Sequence, residues 1–314
     1  MVIVVIGLFE ASLNISVKTE VESRLHETAD HIDAQMQEQL DKYRRDIRFL
    51  HETPPISGLV RAMKYNGIDP DSQNTYQQWA EQLQTTFVAF MEHNQEYDQI
   101  RIISGNEDGL ELVRVERVLG KIQRVKASQL QSKKDRDYFS ASLQLAEGEL
   151  YMSQFSLNRE FGQIEVPYRP TLRISIPIFI NEHQRLGFLI LNINAQPILD
   201  SLVLMAGNQF QLVMTDNDGY YLVSPNDREK FSRDLAPELQ WQNSYQMEEA
   251  IAQDFTKVVR ADDVSTVFYA YEKKVRVAGI SEDGFLLIRV LALSVSLLRW
   301  PWNVVLAYMF FCLP

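Results

Sequence analysis

The chain has 314 residues, 46% of them hydrophobic and 23% charged, ordinary values for a folded protein long enough for two modest domains and a helical arm. A net charge of −11 excludes the basic footprint that nucleic acid requires and a polybasic face for anionic lipid. The single cysteine, Cys312, excludes an internal disulfide framework or a cysteine-rich metal site.

The first nine residues, Met1 to Phe9, carry no Lys or Arg and no cleavage pattern of a signal peptide. They are too few to cross a bilayer, which takes about 20 apolar residues. Residues 1–9 are therefore expected to be the remnant of a transmembrane helix. Residues 10–53 predict one long amphipathic helix. Val21, Leu25, Ile32, Met36, Leu40, Tyr43, Ile47 and Leu50 recur at helical spacing, no proline interrupts them, and Pro54-Pro55 ends the run. About 40 residues at 1.5 Å each make roughly 60 Å, enough for a stalk that spans two modules and serves as a homodimer seam. A second helical region follows over Ile56 to His93, broken by the Asp69-Pro70-Asp71 loop, with Tyr76, Trp79, Leu83, Phe87 and Phe90 at core spacing.

Two hairpins then resemble one another. Each is an apolar strand, an acidic turn closing on Asp-Gly, and a second apolar strand: Ile100 to Arg114 around Asp108-Gly109, and Phe210 to Val223 around Asp218-Gly219. A type I′ or bulged turn explains Asp-Gly without an ion. The first hairpin is followed by a long insert, Glu116 to Pro170, with a strand expected at Glu149 to Phe155. A hairpin over Thr171 to Ile193 closes that half. Ala195 to Ala206 predicts a connecting helix between the Asn194 cap and Gly207. The second half repeats the plan. Its insert, Ser224 to Asp263, is expected to hold helical or irregular pieces, and its closing hairpin runs from Val264 to Val290 around Ser281 to Gly284. A repeat at domain scale means two linked domains of one fold. The order predicts an α+β protein: a long N-terminal helix, then two tandem PAS-like modules. Each module is an antiparallel sheet of about five strands with flanking helices, and its early strands lie beside its late ones. The apolar stretch 292–314, interrupted by Pro301, is a candidate truncated second membrane segment.

No chemistry of catalysis is legible. The five histidines lack metal-ligand spacing, the Asp216 to Gly219 turn lacks the acids of a calcium loop, and there is no phosphate loop, nucleophile elbow or dinucleotide fingerprint. No cofactor or metal is expected, and the chain is not expected to be an enzyme.

Several stretches together resemble a double Cache sensor domain, the extracytoplasmic region of bacterial histidine kinases and diguanylate cyclases. They are Asp218-Gly219-Tyr220-Tyr221-Leu222-Val223-Ser224-Pro225, Arg136-Asp137-Tyr138-Phe139 with Gly148 to Ser153, Leu157 to Gly162, Leu172 to Pro177, and Gly187 to Ile193. The resemblance covers roughly Val21 to Leu291. It implies a membrane-distal module over residues 54–194, a connecting helix over 195–207 and a membrane-proximal module over 208–291. It also implies a ligand site in the distal module. In the amino-acid-binding branch an Arg-x-Trp-Tyr motif grips a carboxylate; Arg136, Tyr138 and Phe139 match it, and Tyr151 matches the next aromatic. The two acidic positions that hold an ammonium group are Ser153 and Asn192 here, which removes the charge an amine requires. With Arg173, these residues form a set of cations, aromatic walls and neutral polar groups suited to a carboxylate or a neutral polar molecule.

The expectation is a ligand-sensing region in the periplasm, held at the inner membrane through its terminal segments. It would dimerise through the N-terminal helix and relay a conformational change toward the membrane. The alternative is an interaction module without a small ligand that recognises a periplasmic partner protein.

Overall fold

The computed structural model describes residues 2–160, 162–277 and 285–293. Helix α1 (Val2–His51) is unbroken over 50 residues. Val21, Leu25, Ala29, Ile32, Met36, Leu40, Tyr43, Ile47 and Leu50 are all buried, so the apolar stripe legible in the sequence is its inner face. Residues 1–9 fall at the start of this helix in part, and the tail 294–314 lies outside the described residues. Among the described residues no helix is long and apolar enough to cross a membrane.

The chain divides into two compact units. Residues 37–198 belong to one; residues 199–276 and 285–293, with the first part of α1, belong to the other.

In the N-terminal unit, Pro54-Pro55 both ends the preceding helix and opens α2 (Pro54–Lys64), where the missing N–H costs nothing. Helix α3 (Tyr76–His93) starts at a capping box of Thr75 and Gln78. The loop between them turns on Asp69, which has no exposed surface. It accepts two hydrogen bonds from Arg61 at 2.9 Å, one from Ser72 Oγ at 2.8 Å and one from Trp79 Nε1 at 3.2 Å. Gly58 clears the Trp79 ring, since a Cβ there would stand 2.2 Å from it.

The strands follow: β1 (Tyr97–Ser104), β2 (Glu111–Val118) and β3 (Lys121–Arg124). The insert contributes α4 (Asp137–Leu143), β4 (Tyr151–Met152), β5 (Ser156–Leu157), and a small ribbon of β6 (Arg159–Glu160) with β7 (Gln163–Ile164). The closing hairpin is β8 (Pro170–Asn181) and β9 (Gln184–Asn194). The sheet order is β3-β2-β1-β9-β8-β4, with β5 also on β8, all antiparallel. The strand expected over Glu149 to Phe155 is limited to Tyr151–Met152. Beyond it Ser153 holds its place by exchanging bonds with Arg173: its N–H donates to Arg173 O, and its Oγ accepts from Arg173 N–H, each at 2.9 Å.

Helix α5 (Gln196–Ala206) follows, its Gln196 N–H donating to Asn194 Oδ1 at 3.1 Å. The C-terminal unit has β10 (Gln211–Asp216), β11 (Tyr221–Val223), the short helices α6 (Ser232–Leu235) and α7 (Trp241–Ser244), β12 (Tyr245–Ala250), β13 (Phe255–Arg260), β14 (Val267–Arg276) and β15 (Phe285–Leu293). Their order is β11-β10-β15-β14-β13-β12. The insert read as helical or irregular therefore also supplies two strands. Tyr245 and Val258 bury into the core of the module while the rest of β12 is exposed, so an edge strand with few apolar residues escapes a reading by periodicity. The sheets have seven and six strands, more than the five expected, because short edge strands add to each.

In both sheets the early hairpin pairs with the late one, β1 with β9 and β10 with β15. The Asp-Gly turns are structural: Gly109 and Gly219 have φ of +56° and +88°, the region where glycine is least strained. Asp216 accepts the N–H groups of Asp218 and Tyr220, each at 3.0 Å.

Candidate functional site

The period-2 alternation of strands sorts the first sheet into two faces. Ile100, Ile102, Leu172, Ile174, Leu189 and Leu191 are buried on one. The other face is polar at its centre. Gln99 stands opposite Asn192 on one side and Glu116 on the other. Arg101 pairs with Arg114 and Ile190, and Arg173 pairs with Asn192. Residues paired across antiparallel strands share a face, so Gln99, Arg101, Arg114, Arg173 and Asn192 lie together. Helix α4 covers part of this face: Tyr138 and Phe139 form an apolar cluster with Ile103, Phe188 and Ile190, with Tyr151 packed against it.

Arg101 is 2% exposed. Its Nη2 donates to Asn192 Oδ1 at 2.7 Å, and its Nη1 reaches Glu111 Oε1 and Tyr138 Oη, each at 3.4 Å. Asn192 Nδ2 donates onward to Gln99 Oε1 at 3.3 Å. Arg173 donates to Ser156 Oγ at 3.2 Å and Asn158 Oδ1 at 3.1 Å. The guanidinium carbons of Arg101 and Arg173 stand 5.7 and 5.6 Å from the centroid of the Tyr138 ring.

Positive charge is in excess here. Glu111, fully buried, is the carboxylate for three cations: Arg101 and Arg114 at 3.4 Å and Lys133 at 3.8 Å. Arg114 has Glu116 as a second partner. Among the described residues Arg173 has no carboxylate within ion-pair distance; its partners are neutral. The Nε atoms of both Arg101 and Arg173 are buried without a hydrogen-bond acceptor. Burial pushes the Arg173 pKa down, and the neighbouring Arg101 and Arg136 charges act in the same direction. For Arg101, burial is outweighed by Tyr138 and Glu111, which raise it. Burial also pushes the Tyr151 hydroxyl up to about 12, with Asp137 adding to it. Buried guanidinium groups with spare donors can receive an anion, and their planar fork matches a carboxylate.

Beside this cluster a polar cleft of about 350 Å³ is lined by Gln99, Arg114, Glu116, Gln131 and Arg169, among others. At its margin Asp98 is buried, with Oδ2 lacking a hydrogen-bond donor and Arg169 at 3.7 Å. Burial raises the Asp98 pKa.

Of the residues expected from sequence, Tyr138, Arg173, Asn192 and Ser153 meet directly or through one partner, and Tyr151 and Phe139 wall the cluster. Arg136 stands apart in its bonding. It is the N-cap residue of α4, and its Nη2 donates to Arg159 O at 3.2 Å. Sequence reasoning missed Arg101, Glu111, Gln99 and Arg114. Arg101 had a signal: a lone cation between Ile100 and Ile102-Ile103, in the apolar half of its strand.

Comparisons with known proteins agree with this architecture. A family model described as the bacterial histidine kinase sensor domain matches residues 30–277. No curated protein matches the sequence. Among solved structures, the domain of a sensory box/GGDEF family protein from Vibrio parahaemolyticus is similar at a TM-score of 0.67 and 17% identity, over 90% of this chain and 98% of that one. The ligand-binding domain of the Pseudomonas aeruginosa amino acid chemoreceptor PctB, in complex with L-Arg, is similar at 0.55 and 12%, over 90% and 98%. The periplasmic sensory domain of the Campylobacter jejuni chemoreceptor Tlp1 is similar at 0.55 and 14%, over 92% and 99%. At these identities the likeness is one of fold, and that fold is the tandem PAS-like arrangement of Cache sensors. The family model covers the first sheet and every strand of the second but β15, and the chain belongs to the bacterial histidine kinase sensor domain family.

Proposed function

We propose that this chain is the extracytoplasmic ligand-sensing region of a membrane-bound bacterial receptor, and that its N-terminal module binds a small molecule through a carboxylate. The observation that carries this reading is the surplus of buried guanidinium charge around Tyr138, with an unused N–H on both Arg101 and Arg173. An anion entering there neutralises charge and supplies the missing acceptors. Binding then shifts the population between two arrangements of α4 on the sheet, and α1 carries the bias toward the membrane. Ser153 and Asn192 supply neutral polar contacts. Structural neighbours include complexes with L-Arg and L-norvaline. The strand positions here favour a carboxylate without an ammonium group. A homodimer through α1 and anchorage through the terminal segments complete the proposal.

The test is a thermal-shift screen of organic acids, amino acids, amines and sugars. A ligand at 100 times its dissociation constant stabilises by about 2.7 kcal/mol. Carboxylates are expected to raise the melting temperature by several degrees, neutral sugars by less. If every carboxylate fails, the anion site is wrong; if a partner protein alone shifts the melting point, the interaction-module reading replaces it.

A further inference from the structure

The arginines of the N-terminal module already hold oxygen atoms of the chain itself. Ser156 Oγ accepts from Arg173 Nη1 at 3.2 Å, and Asn158 Oδ1 accepts from Arg173 Nη2 at 3.1 Å. One residue on, Arg159 O accepts from Arg136 Nη2 at 3.2 Å, and the Arg136 charge acts on Arg173. Two oxygens on the two terminal nitrogens of one guanidinium are the pattern of a bidentate carboxylate. Here two neutral side chains, two residues apart in sequence, supply it.

The two side chains are held with different firmness. Asn158 is 5% exposed. Its N–H donates to Arg169 O at 2.8 Å, its O accepts from Glu165 N–H at 3.0 Å, and its Nδ2 donates to Glu165 Oε2 at 2.9 Å. Those bonds leave Oδ1 for Arg173. Ser156 is half-buried and lies on the two-residue strand β5, which joins the sheet through Thr171 and Pro170 of β8. Neither acceptor carries charge. A carboxylate adds the attraction of a full negative charge to the same two hydrogen bonds, so it can displace them, whereas a neutral ligand exchanges each bond for its equal. The apparent affinity of any ligand falls with the fraction of molecules in which the arginines are free to receive it. On the reading of this cluster as a carboxylate site, we infer that Ser156, Asn158 and Arg159 form a built-in competitor: their oxygens take the donors of Arg173 and Arg136 that a ligand needs, and so set how tightly it binds.

The experiment is calorimetric titration of the 314-residue chain and its variants with propionate and with benzoate. Ser156→Ala and Asn158→Ala each remove one competing hydrogen bond, and each is expected to tighten binding of at least one probe roughly threefold or more. Ser156→Asp sets a charged competitor beside Arg173 and is expected to weaken binding roughly tenfold or more. The melting temperature of each variant checks its fold. Asn158→Ala also loses the Glu165 bond, so Ser156→Ala, at a half-buried position, decides the matter if Asn158→Ala does not fold. Binding that the alanine variants leave unchanged or weaken means that Ser156 and Asn158 only support Arg173; it overturns the inference while the carboxylate site stands. Absence of binding in the parent and in both alanine variants at millimolar concentration removes the carboxylate site and the inference with it.

Discussion

Arg101 and Arg173 stand on strands β1 and β8, with β9 between them, yet both guanidinium groups lie within 6 Å of the same Tyr138 ring. The repulsion between two like charges at one ring is the kind of cost a protein carries where an anion will bind. Arg173→Met keeps most of the side-chain volume and removes one charge. It is expected to raise the unliganded melting temperature by a few degrees and to abolish stabilisation by carboxylates. A lower melting temperature would mean that Ser156 and Asn158 already satisfy Arg173.

Glu111 carries the opposite role. It is the shared counter-charge of Arg101, Arg114 and Lys133. Glu111→Gln leaves buried cations short of a partner and is expected to cost about 3 kcal/mol in denaturant unfolding. The double variant Arg101→Met/Glu111→Leu is expected to recover part of that loss. Additive losses would count against the coupling.

Asp69 sets a pH dependence. The Arg61 guanidinium holds its carboxyl well below the ordinary value of 3.8, burial opposes this, and Ser72 assists. A depressed folded-state pKa contributes stability that is present above 3.8 and is lost as pH falls below it. Asp69→Asn is expected to lower the melting temperature at neutral pH and to flatten its decline below pH 3.8. A variant whose acid limb parallels the parent would place the titrating group elsewhere.

Gly187 marks a close approach of β1 and β9. A Cβ there would stand 1.9 Å from Ile103 O, whereas one at Gly105 would meet ordinary contacts from 3.4 Å outward. Gly187→Ala is expected to destabilise by about 3 kcal/mol, and Gly105→Ala by less than about 1 kcal/mol. Equal effects in equilibrium unfolding would contradict this close approach of the two strands.

By itself the sequence determined the long helix, the two hairpin-bounded sheets and the turns between them. Each rests on local physics: a 3.6-residue apolar stripe from Val21 to Leu50, a two-residue alternation in β8, a near-continuous apolar run in β9, and glycines where φ is positive. It also held the polar face in outline, since Gln99, Arg101, Arg173 and Asn192 interrupt apolar strands. Only the tertiary structure decided which of these meet. Arg136 sits two residues from Tyr138 in sequence but is held at a helix start by Arg159 O, while Arg101 reaches Tyr138 and Asn192 across the sheet. Strand register brings Arg101 beside Asn192, and register is a property of paired strands that no single strand carries.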